Sequence, residues 1–190
     1  MKKHLLALDI GNVCVKINHR NCPDMLQLPA VPEELLQLTA DYEQGVIRLE
    51  EEFVAAALQI LGSRCSPEFL KTAFNSILIE PVPGMTELVN DFESLNVRAV
   101  FFSDISPTHL ARTRELFPAF DRVSGGIFSF ETGGCKPSEA MFSRFENLYG
   151  TPDLYVDDRP ELIAAAQERR WNAVLFTSAA DLRKKLLSLS

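Results

Sequence analysis

The sequence predicts an α/β protein in which a parallel sheet carries helices on both faces. Apolar runs of strand length recur along the chain, and they alternate with segments whose apolar residues keep the spacing of an amphipathic helix. A parallel strand covered on both faces has a continuous apolar sequence, and strands joined by helices form parallel sheets. The composition agrees, since 46% of the 190 residues are hydrophobic and 24% are charged, as in an ordinary globular protein.

Five segments are predicted as strands, at residues 4–10, 97–102, 126–129, 154–156 and 173–176. Helical spacing of apolar residues predicts one helix over 85–95 and another over 141–149. Pro107 and Pro160 each follow an apparent strand end, where proline is favoured in the first turn of a helix. Strand and helix therefore alternate through most of the chain.

The pattern changes after the first strand. Up to the Pro-Val-Pro-Gly turn at 81–84 it indicates helices without strands, at roughly 33–42, 50–61 and 67–78. We therefore predict that a helical module, residues 17–79, is inserted into a sheet domain formed by residues 1–16 and 80–190.

Charge and cysteine content narrow the possible partners. The net charge of −7 has the wrong sign for a protein that neutralises nucleic-acid phosphates or anionic lipid, so neither nucleic acid nor a membrane is an expected partner. No apolar stretch is long enough to span a bilayer. The four cysteines form no CxxC pair, which favours a reduced compartment. We expect a cytoplasmic monomer or small homo-oligomer.

Acidic and hydroxyl side chains stand where three predicted strands end. Asp9 ends the first strand, Ser103 and Asp104 end the second, and Asp157 and Asp158 end the fourth. Ligands of open α/β sheets bind outside the carboxyl ends of the strands. Carboxylates that converge there repel one another unless a cation lies among them, and an all-oxygen ligand set suits Mg²⁺. One such aspartate alone more often caps a helix, so the predicted magnesium site depends on their joint occurrence.

Four motifs in this order resemble those of the haloacid dehalogenase (HAD) superfamily of phosphohydrolases: Asp-Ile-Gly-Asn-Val from Asp9, Phe-Ser at 102–103, Lys-Pro at 136–137 and Asp-Asp at 157–158. The first motif and the stretches 103–109 and 129–137 are similar to the subgroup that includes sugar-1-phosphate phosphatases. The resemblance spans nearly the whole chain. It implies a Rossmann-like sheet with an inserted α-helical cap, the cap being residues 17–79.

The resemblance implies a role for each matching residue. Asp9 would be the nucleophile and would form an aspartyl-phosphate that water hydrolyses. Ser103 and Lys136 would bind the phosphoryl oxygens, and Lys136 would also offset the negative charge. The backbone N–H groups of Asn12 and Asp104 would complete the phosphate site. Alternatively, Ser103 caps the following helix and Lys136 is a solvated loop lysine.

The metal ligands are implied in the same way. Mg²⁺ would be held by the carboxylates of Asp9 and Asp158 and by the backbone carbonyl of Gly11. Asp157 would contribute directly or through water.

Three positions depart from the family pattern. Gly11 stands where the phosphatases usually have a second aspartate that acts as general acid and base, a role typically worth about 10²–10⁴-fold in rate. Asp104 replaces the common Asn, and we expect its carboxylate to cap the next helix. Leu162 replaces an Asn near the metal site. Without the second aspartate, we expect preference for substrates with activated leaving groups, such as an anomeric phosphate.

Three polar residues lie where the chain enters the predicted cap: Lys16, His19 and Arg20. They would bind the substrate's leaving group, or they form a solvated loop, which is the favoured interpretation. For His109 a capping or packing role is favoured.

These observations predict a Mg²⁺-dependent phosphatase that acts on a small phosphorylated metabolite. One alternative is a metal-independent haloacid dehalogenase of the same superfamily, although paired Asp157 and Asp158 make little sense without a metal. The other is a metabolite-binding homologue that has lost turnover along with the second aspartate.

Overall fold

Seven strands form two sheets within residues 3–189, the part of the chain that the computed structural model describes. They are β1 (His4–Leu8), β2 (Val15–Ile17), β3 (Leu78–Pro81), β4 (Val97–Ser103), β5 (Gly126–Phe128), β6 (Leu154–Asp157) and β7 (Ala173–Leu175). The main sheet is parallel throughout, in the order β5-β4-β1-β6-β7. The prediction of a Rossmann-like α/β fold is confirmed, and each of the five predicted strands is present.

The register of the central strands positions the candidate site. His4 of β1 pairs with Val97 of β4, and Leu6 pairs with Leu154 of β6. Because the three strands are parallel and adjacent, their carboxyl ends meet at one edge of the sheet. The polar residues that follow or end these strands are thereby brought together.

The helices are α1 (Asn21–Met25), α2 (Glu33–Glu43), α3 (Glu50–Ile60), α4 (Pro67–Asn75), α5 (Met85–Asn90), α6 (Pro107–Leu116), α7 (Ser129–Thr132), α8 (Glu139–Tyr149), α9 (Pro160–Glu168) and α10 (Ala179–Leu187). As predicted, α6 and α9 each begin at a proline. Ser106 caps α6, since its side chain accepts a hydrogen bond from the N–H of His109.

The two faces of the main sheet bury separate apolar clusters. Alternate residues of β1 point to opposite faces, so Leu6 and Leu8 join the cluster that includes Met85, whereas Leu5 and Ala7 join the other. The second cluster is rich in aromatic rings, chiefly Phe102, Phe142, Phe145, Tyr155 and Trp171. The sheet is thus covered on both sides.

The helices α1–α4 lie between β2 and β3 in the chain, and α2, α3 and α4 share an apolar cluster of their own. At its centre the rings of Tyr42 and Phe53 stack with centroids 4.5 Å apart, and Phe74 lies 4.7 Å from Phe53. The treatment of residues 17–79 as a separate cap domain stays a prediction.

The structure corrects several details. The region after β1 is not free of strands, because β2 and β3 form a short antiparallel pair in which Ile17 faces Leu78. The helix expected over 67–78 ends at Asn75, and the one expected over 85–95 ends at Asn90. Within the described residues, no helix combines the length and apolar character needed to cross a membrane.

Candidate active site

The site is centred on a buried lysine between two carboxylates. The Lys136 ammonium lies 2.8 Å from Oδ1 of Asp9, 2.6 Å from Oδ2 of Asp157 and 2.8 Å from the carbonyl oxygen of Phe102. The Lys136 side chain has no exposed surface. Three acceptors match the three N–H donors of an ammonium group. Lys136 is therefore a structural part of the carboxylate cluster, and the solvated-loop alternative is excluded.

The charged side chains of this cluster shift one another's pKa values. Burial, together with the nearby Asp157 carboxylate, raises the pKa of Asp9 to about 6, although Lys136 and a hydrogen bond from Ser103 act in the opposite direction. Burial would also raise the pKa of Asp157, but Lys136, Tyr155 and the N–H of Arg159 stabilise its carboxylate and lower the pKa overall. Despite its burial, Lys136 has a raised pKa because both carboxylates favour the ammonium form.

Asp157 is held on both of its oxygens. Oδ2 accepts hydrogen bonds from Lys136 and from the Tyr155 hydroxyl at 2.5 Å, and Oδ1 accepts from the N–H of Arg159 at 2.9 Å. Because these hydrogen bonds occupy lone pairs on both carboxylate oxygens, Asp157 is better placed to orient Lys136 than to coordinate a cation directly.

Three carboxylates form a set that fits a divalent cation. Asp9, Asp157 and Asp158 each offer an oxygen within 4.8 Å of the others. Asp158 is fixed by Asn12, whose side-chain amide donates to its Oδ2 at 2.9 Å. Carboxylate oxygens are the donors that Mg²⁺ prefers, so the chemistry of the donor set is consistent with that ion.

The loop after β1 places Gly11 against Asp9. A Cβ atom at position 11 would lie 3.9 Å from Oδ2 of Asp9 and 2.8 Å from Cδ1 of Ile17. A side chain here would face Asp9, so the glycine removes an acid from the immediate surroundings of that carboxylate.

Asn12 has a different role from the one expected. Its backbone N–H donates to the carbonyl of Val15 at 2.7 Å and is not free for phosphate, which corrects that expectation. Its side chain instead ties Asp158 to the loop, since the amide oxygen accepts from the N–H of Ile17 at 2.9 Å.

Ser103 lies in the site, buried at the end of β4 and hydrogen-bonded to Asp9. Since Ser106 caps α6, Ser103 is not needed for that purpose. The expectation that Asp104 caps the same helix was wrong. Its Oδ1 accepts from the N–H of Lys136 at 2.7 Å, and its Oδ2 accepts from the Arg159 guanidinium at 2.7 Å.

Arg159 was not predicted from the sequence. Besides binding Asp104, its Nε lies 3.7 Å from Asp157, and its side chain keeps 40% of its surface exposed. The available signal was its position directly after Asp157 and Asp158, at the predicted start of a helix. Leu162 in α9 is buried, and its side chain brings no polar group to the site.

The three residues at the entry to the predicted cap are not drawn into this cluster. Lys16 pairs with Glu80 and Arg20 with Asp24, both on the surface. The favoured interpretation of a solvated loop holds for these two, so their inclusion among the phosphate-binding residues is corrected. His19 is exposed and lines a cavity of about 260 Å³ beside α2.

His109 packs, as favoured from the sequence. It is buried, its ring stacks on Phe74 with centroids 4.0 Å apart, and its Nε2 lies 3.0 Å from the Phe74 carbonyl oxygen. A neutral ring that donates this bond satisfies both groups. Burial lowers the pKa of His109 to about 4.

Comparison with solved structures assigns the fold. A HAD family enzyme from Bacteroides thetaiotaomicron, in complex with magnesium, superposes with a TM-score of 0.81, at 20% sequence identity over 93% of either chain. A HAD-like family hydrolase from Porphyromonas gingivalis gives a TM-score of 0.78 at 20% identity, over 94% of this chain and 93% of that one. The chain has the HAD fold.

Structures with this fold hold different ligands. The Bacteroides enzyme is also known with magnesium and inorganic phosphate (TM-score 0.79, 19% identity, 93% of this chain and 95% of that one). A L-2-haloacid dehalogenase from Xanthobacter autotrophicus with covalently bound chloropropionic acid is similar at a TM-score of 0.63 and 14% identity, over 98% of this chain and 83% of that one. No protein-family model matches the sequence, and no curated protein matches it.

Proposed function

We propose that this protein is a magnesium-dependent phosphatase that hydrolyses a small phosphate monoester through an aspartyl-phosphate on Asp9. The arrangement that carries the proposal is the buried Lys136 ammonium between Asp9 and Asp157, with Asp158 beside them. An anionic nucleophile that attacks an anionic phosphoryl group requires fixed positive charge close to both. The Bacteroides HAD enzyme with bound magnesium and phosphate supports the same assignment.

Asp9, Lys136 and Ser103 have separate roles in this reaction. Asp9 attacks phosphorus with a carboxylate oxygen, and the bond to the leaving oxygen breaks. Lys136 holds Asp9 in place through Oδ1 and offsets negative charge as the phosphoryl group approaches. Ser103, at the end of β4, supplies a hydroxyl for a phosphoryl oxygen. Water then attacks phosphorus of the aspartyl-phosphate and releases phosphate.

The metal would be held by Asp9, Asp158 and the carbonyl of Gly11, with Asp157 contributing through water. When bound, Mg²⁺ would supply positive charge to the phosphoryl oxygens and favour the ionised form of Asp9. Asn12 would keep Asp158 oriented for this purpose through its amide hydrogen bond.

A sugar 1-phosphate is the finer candidate for the substrate. Because residue 11 is a glycine, no side chain at this position can protonate the leaving oxygen beside Asp9. An anomeric oxygen needs this proton less than an alkyl oxygen does, so an anomeric phosphate should be hydrolysed faster. Comparison of kcat/KM for a hexose 1-phosphate and its 6-phosphate isomer tests this, and the 1-phosphate should be the better substrate. Equal values, or a preference for the 6-phosphate, would contradict it.

The assignment as a phosphatase is tested with p-nitrophenyl phosphate and Mg²⁺, with Asp9→Asn as the control. Wild-type turnover that requires Mg²⁺ and is lost in the variant is expected. Equal inactivity of both proteins over a broad phosphate-ester panel would indicate a binding homologue instead. Release of halide from a 2-haloacid without Mg²⁺ would identify a dehalogenase, the activity of the Xanthobacter protein.

A further inference from the structure

Lys136 is held at its backbone and at its side chain by carboxylates from two other loops. Its backbone N–H donates to Oδ1 of Asp104 at 2.7 Å, and its ammonium group donates to Oδ2 of Asp157 at 2.6 Å. Asp104 directly follows β4, whereas Asp157 is the last residue of β6. The position of the ammonium group beside Asp9 therefore depends on the placement of the Lys136 backbone as well as on the side chain.

Arg159 connects these two carboxylates. Its guanidinium group donates from Nη2 to Oδ2 of Asp104 at 2.7 Å, and its backbone N–H donates to Oδ1 of Asp157 at 2.9 Å. Nε of the same side chain lies 3.7 Å from that oxygen of Asp157. Four hydrogen bonds thus form a closed ring through Lys136, Asp104, Arg159 and Asp157.

Arg159 closes this ring on its exposed side. The Asp104 side chain is 13% exposed and that of Asp157 is fully buried, whereas 40% of the Arg159 side chain is exposed. The ion pair with Arg159 holds one oxygen of Asp104 while the other accepts from Lys136, and hydrogen bonds between charged groups are stronger than neutral ones. Among the hydrogen bonds of the described residues, loss of Arg159 would leave the Asp104 carboxylate with the N–H of Lys136 alone. The carboxylate could then rotate.

We propose that Arg159 and Asp104 are positioning residues that hold the Lys136 ammonium group in place for the attack of Asp9. The proposal rests on the proposed function, because it gives both residues a role in that reaction. Arg159 fixes the Asp104 carboxylate, and Asp104 fixes the backbone of Lys136. A displacement of about 1 Å at the ammonium group would misplace its positive charge, and misplacement of this size can cost about 10²-fold in rate.

Two other roles of Arg159 would have different kinetic effects. If Arg159 bound substrate directly and equally in the ground state and the transition state, its loss would raise KM and leave kcat unchanged. If the pair with Asp104 only stabilised the fold, kcat of the folded protein would not change. A positioning role lowers kcat and leaves KM nearly the same, because Lys136 acts on the charge that develops during phosphoryl transfer.

The test compares kinetics with the mobility of the Lys136 backbone. In Arg159→Gln, kcat for p-nitrophenyl phosphate with Mg²⁺ should fall by about 10²-fold with little change in KM. Amide hydrogen exchange at Lys136, followed by NMR, should become about tenfold faster, because its N–H loses a fixed acceptor. Arg112→Gln is the matched control, since Arg112 is 41% exposed and pairs with Glu115 on the surface of α6. It should alter neither quantity.

A second substitution should rebuild the ring without charges. When Asp104→Asn is added to Arg159→Gln, the amide at position 104 can accept from the N–H of Lys136 and donate to the amide oxygen at position 159. The double variant should recover about tenfold or more of the kcat lost in Arg159→Gln, and exchange at Lys136 should slow again. Asp104→Asn alone should lower kcat, because its amide N–H groups would face the guanidinium group.

Several results would overturn the positioning role and leave the phosphatase assignment intact. They are faster exchange with unchanged kcat, a fall in kcat with unchanged exchange, a rise in KM alone, and losses that simply add in the double variant. Absence of Mg²⁺-dependent turnover in the wild type would instead overturn the proposed function, and the role of Arg159 with it.

Discussion

The ammonium group of Lys136 lies 2.8 Å from the carboxylate of Asp9, a residue 127 positions earlier in the chain. Both side chains are almost fully buried, and the same ammonium group lies 2.6 Å from Asp157. Two carboxylates and one ammonium leave one net negative charge inside the protein. That imbalance makes the site receptive to a cation and dependent on Lys136.

Removal of the Lys136 charge should destabilise the fold as well as abolish activity. Lys136→Met leaves two buried carboxylates without the ammonium group between them, and breaking a buried ion pair in this way costs about 3–5 kcal/mol. The free energy of unfolding from urea titration measures this loss. Lys16→Met is a matched control, because Lys16 pairs with Glu80 on the surface and its loss should cost about 1 kcal/mol or less. Similar values for the two variants would contradict the buried triad.

Asp158 should be needed for metal binding and not for folding. Asp158→Asn keeps the hydrogen bond partner of Asn12 but removes a negative ligand. Calorimetric titration with Mg²⁺ should show binding to the wild type and at least about tenfold weaker binding to the variant. Asp121→Asn, which changes an exposed aspartate paired with Arg114, should bind Mg²⁺ as the wild type does. Unchanged affinity in Asp158→Asn would place the metal elsewhere.

His109 should make stability depend on pH in the acid range. Its pKa is about 4 in the folded protein and about 6.5 when unfolded, so the unfolded chain binds more protons between these values. The contribution of neutral His109 is thus complete above pH 6.5 and is lost as the pH falls towards 4, by up to about 3 kcal/mol.

His109→Gln isolates this effect, because an amide can donate the bond to the Phe74 carbonyl without titrating. Urea unfolding at pH 7 and pH 5 should show that acidification destabilises the wild type more than the variant. An equal change in both proteins would show that His109 is not the titrating group.

A carboxyl group at position 11 should supply a general acid beside Asp9. The Cβ of residue 11 would lie 3.9 Å from Oδ2 of Asp9, and the Ile17 side chain must move to admit it. The double change Gly11→Asp and Ile17→Val should raise kcat on a hexose 6-phosphate by about tenfold or more, because an alkyl leaving oxygen must be protonated. Gly11→Asn with the same Ile17→Val change is the matched control and should give no gain. Equal gain from the amide would show that the effect is not proton transfer.

The sequence predicted the elements whose signals are local. The apolar run at 97–102 became β4, and Pro107, predicted to lie in the first turn of a helix, is the first residue of α6. The strands β2 and β3 were missed because they have three and four residues, too few for a periodic pattern, and β3 ends in a proline. Pairing between distant short segments depends on tertiary contacts that one sequence does not reveal.

The candidate site shows the same difference between residues with a local sequence signal and residues placed by tertiary contacts. Asp9, Ser103, Asp157 and Asp158 could be found because each stands at or just after the end of an apolar run. Arg159 could not, since its contact with Asp104 in the loop after β4 depends on how α9 packs. The misassigned role of Asp104 has the same cause: its partners, Lys136 and Arg159, come from other loops. Sequence motifs therefore identified the groups that we propose to bind phosphate and metal, but not Arg159, which orients Asp104.

The central claim is that Asp9 accepts the phosphoryl group. The most direct measurement is to mix the protein with Mg²⁺ and a hexose 1-phosphate, quench in acid during the first turnover, reduce with borohydride and map the product by peptide mass spectrometry. An acyl phosphate on Asp9 is reduced to homoserine, so the account predicts homoserine at position 9 that depends on Mg²⁺ and substrate. Turnover that continues in Asp9→Asn, or an unmodified Asp9 during active turnover, would contradict it.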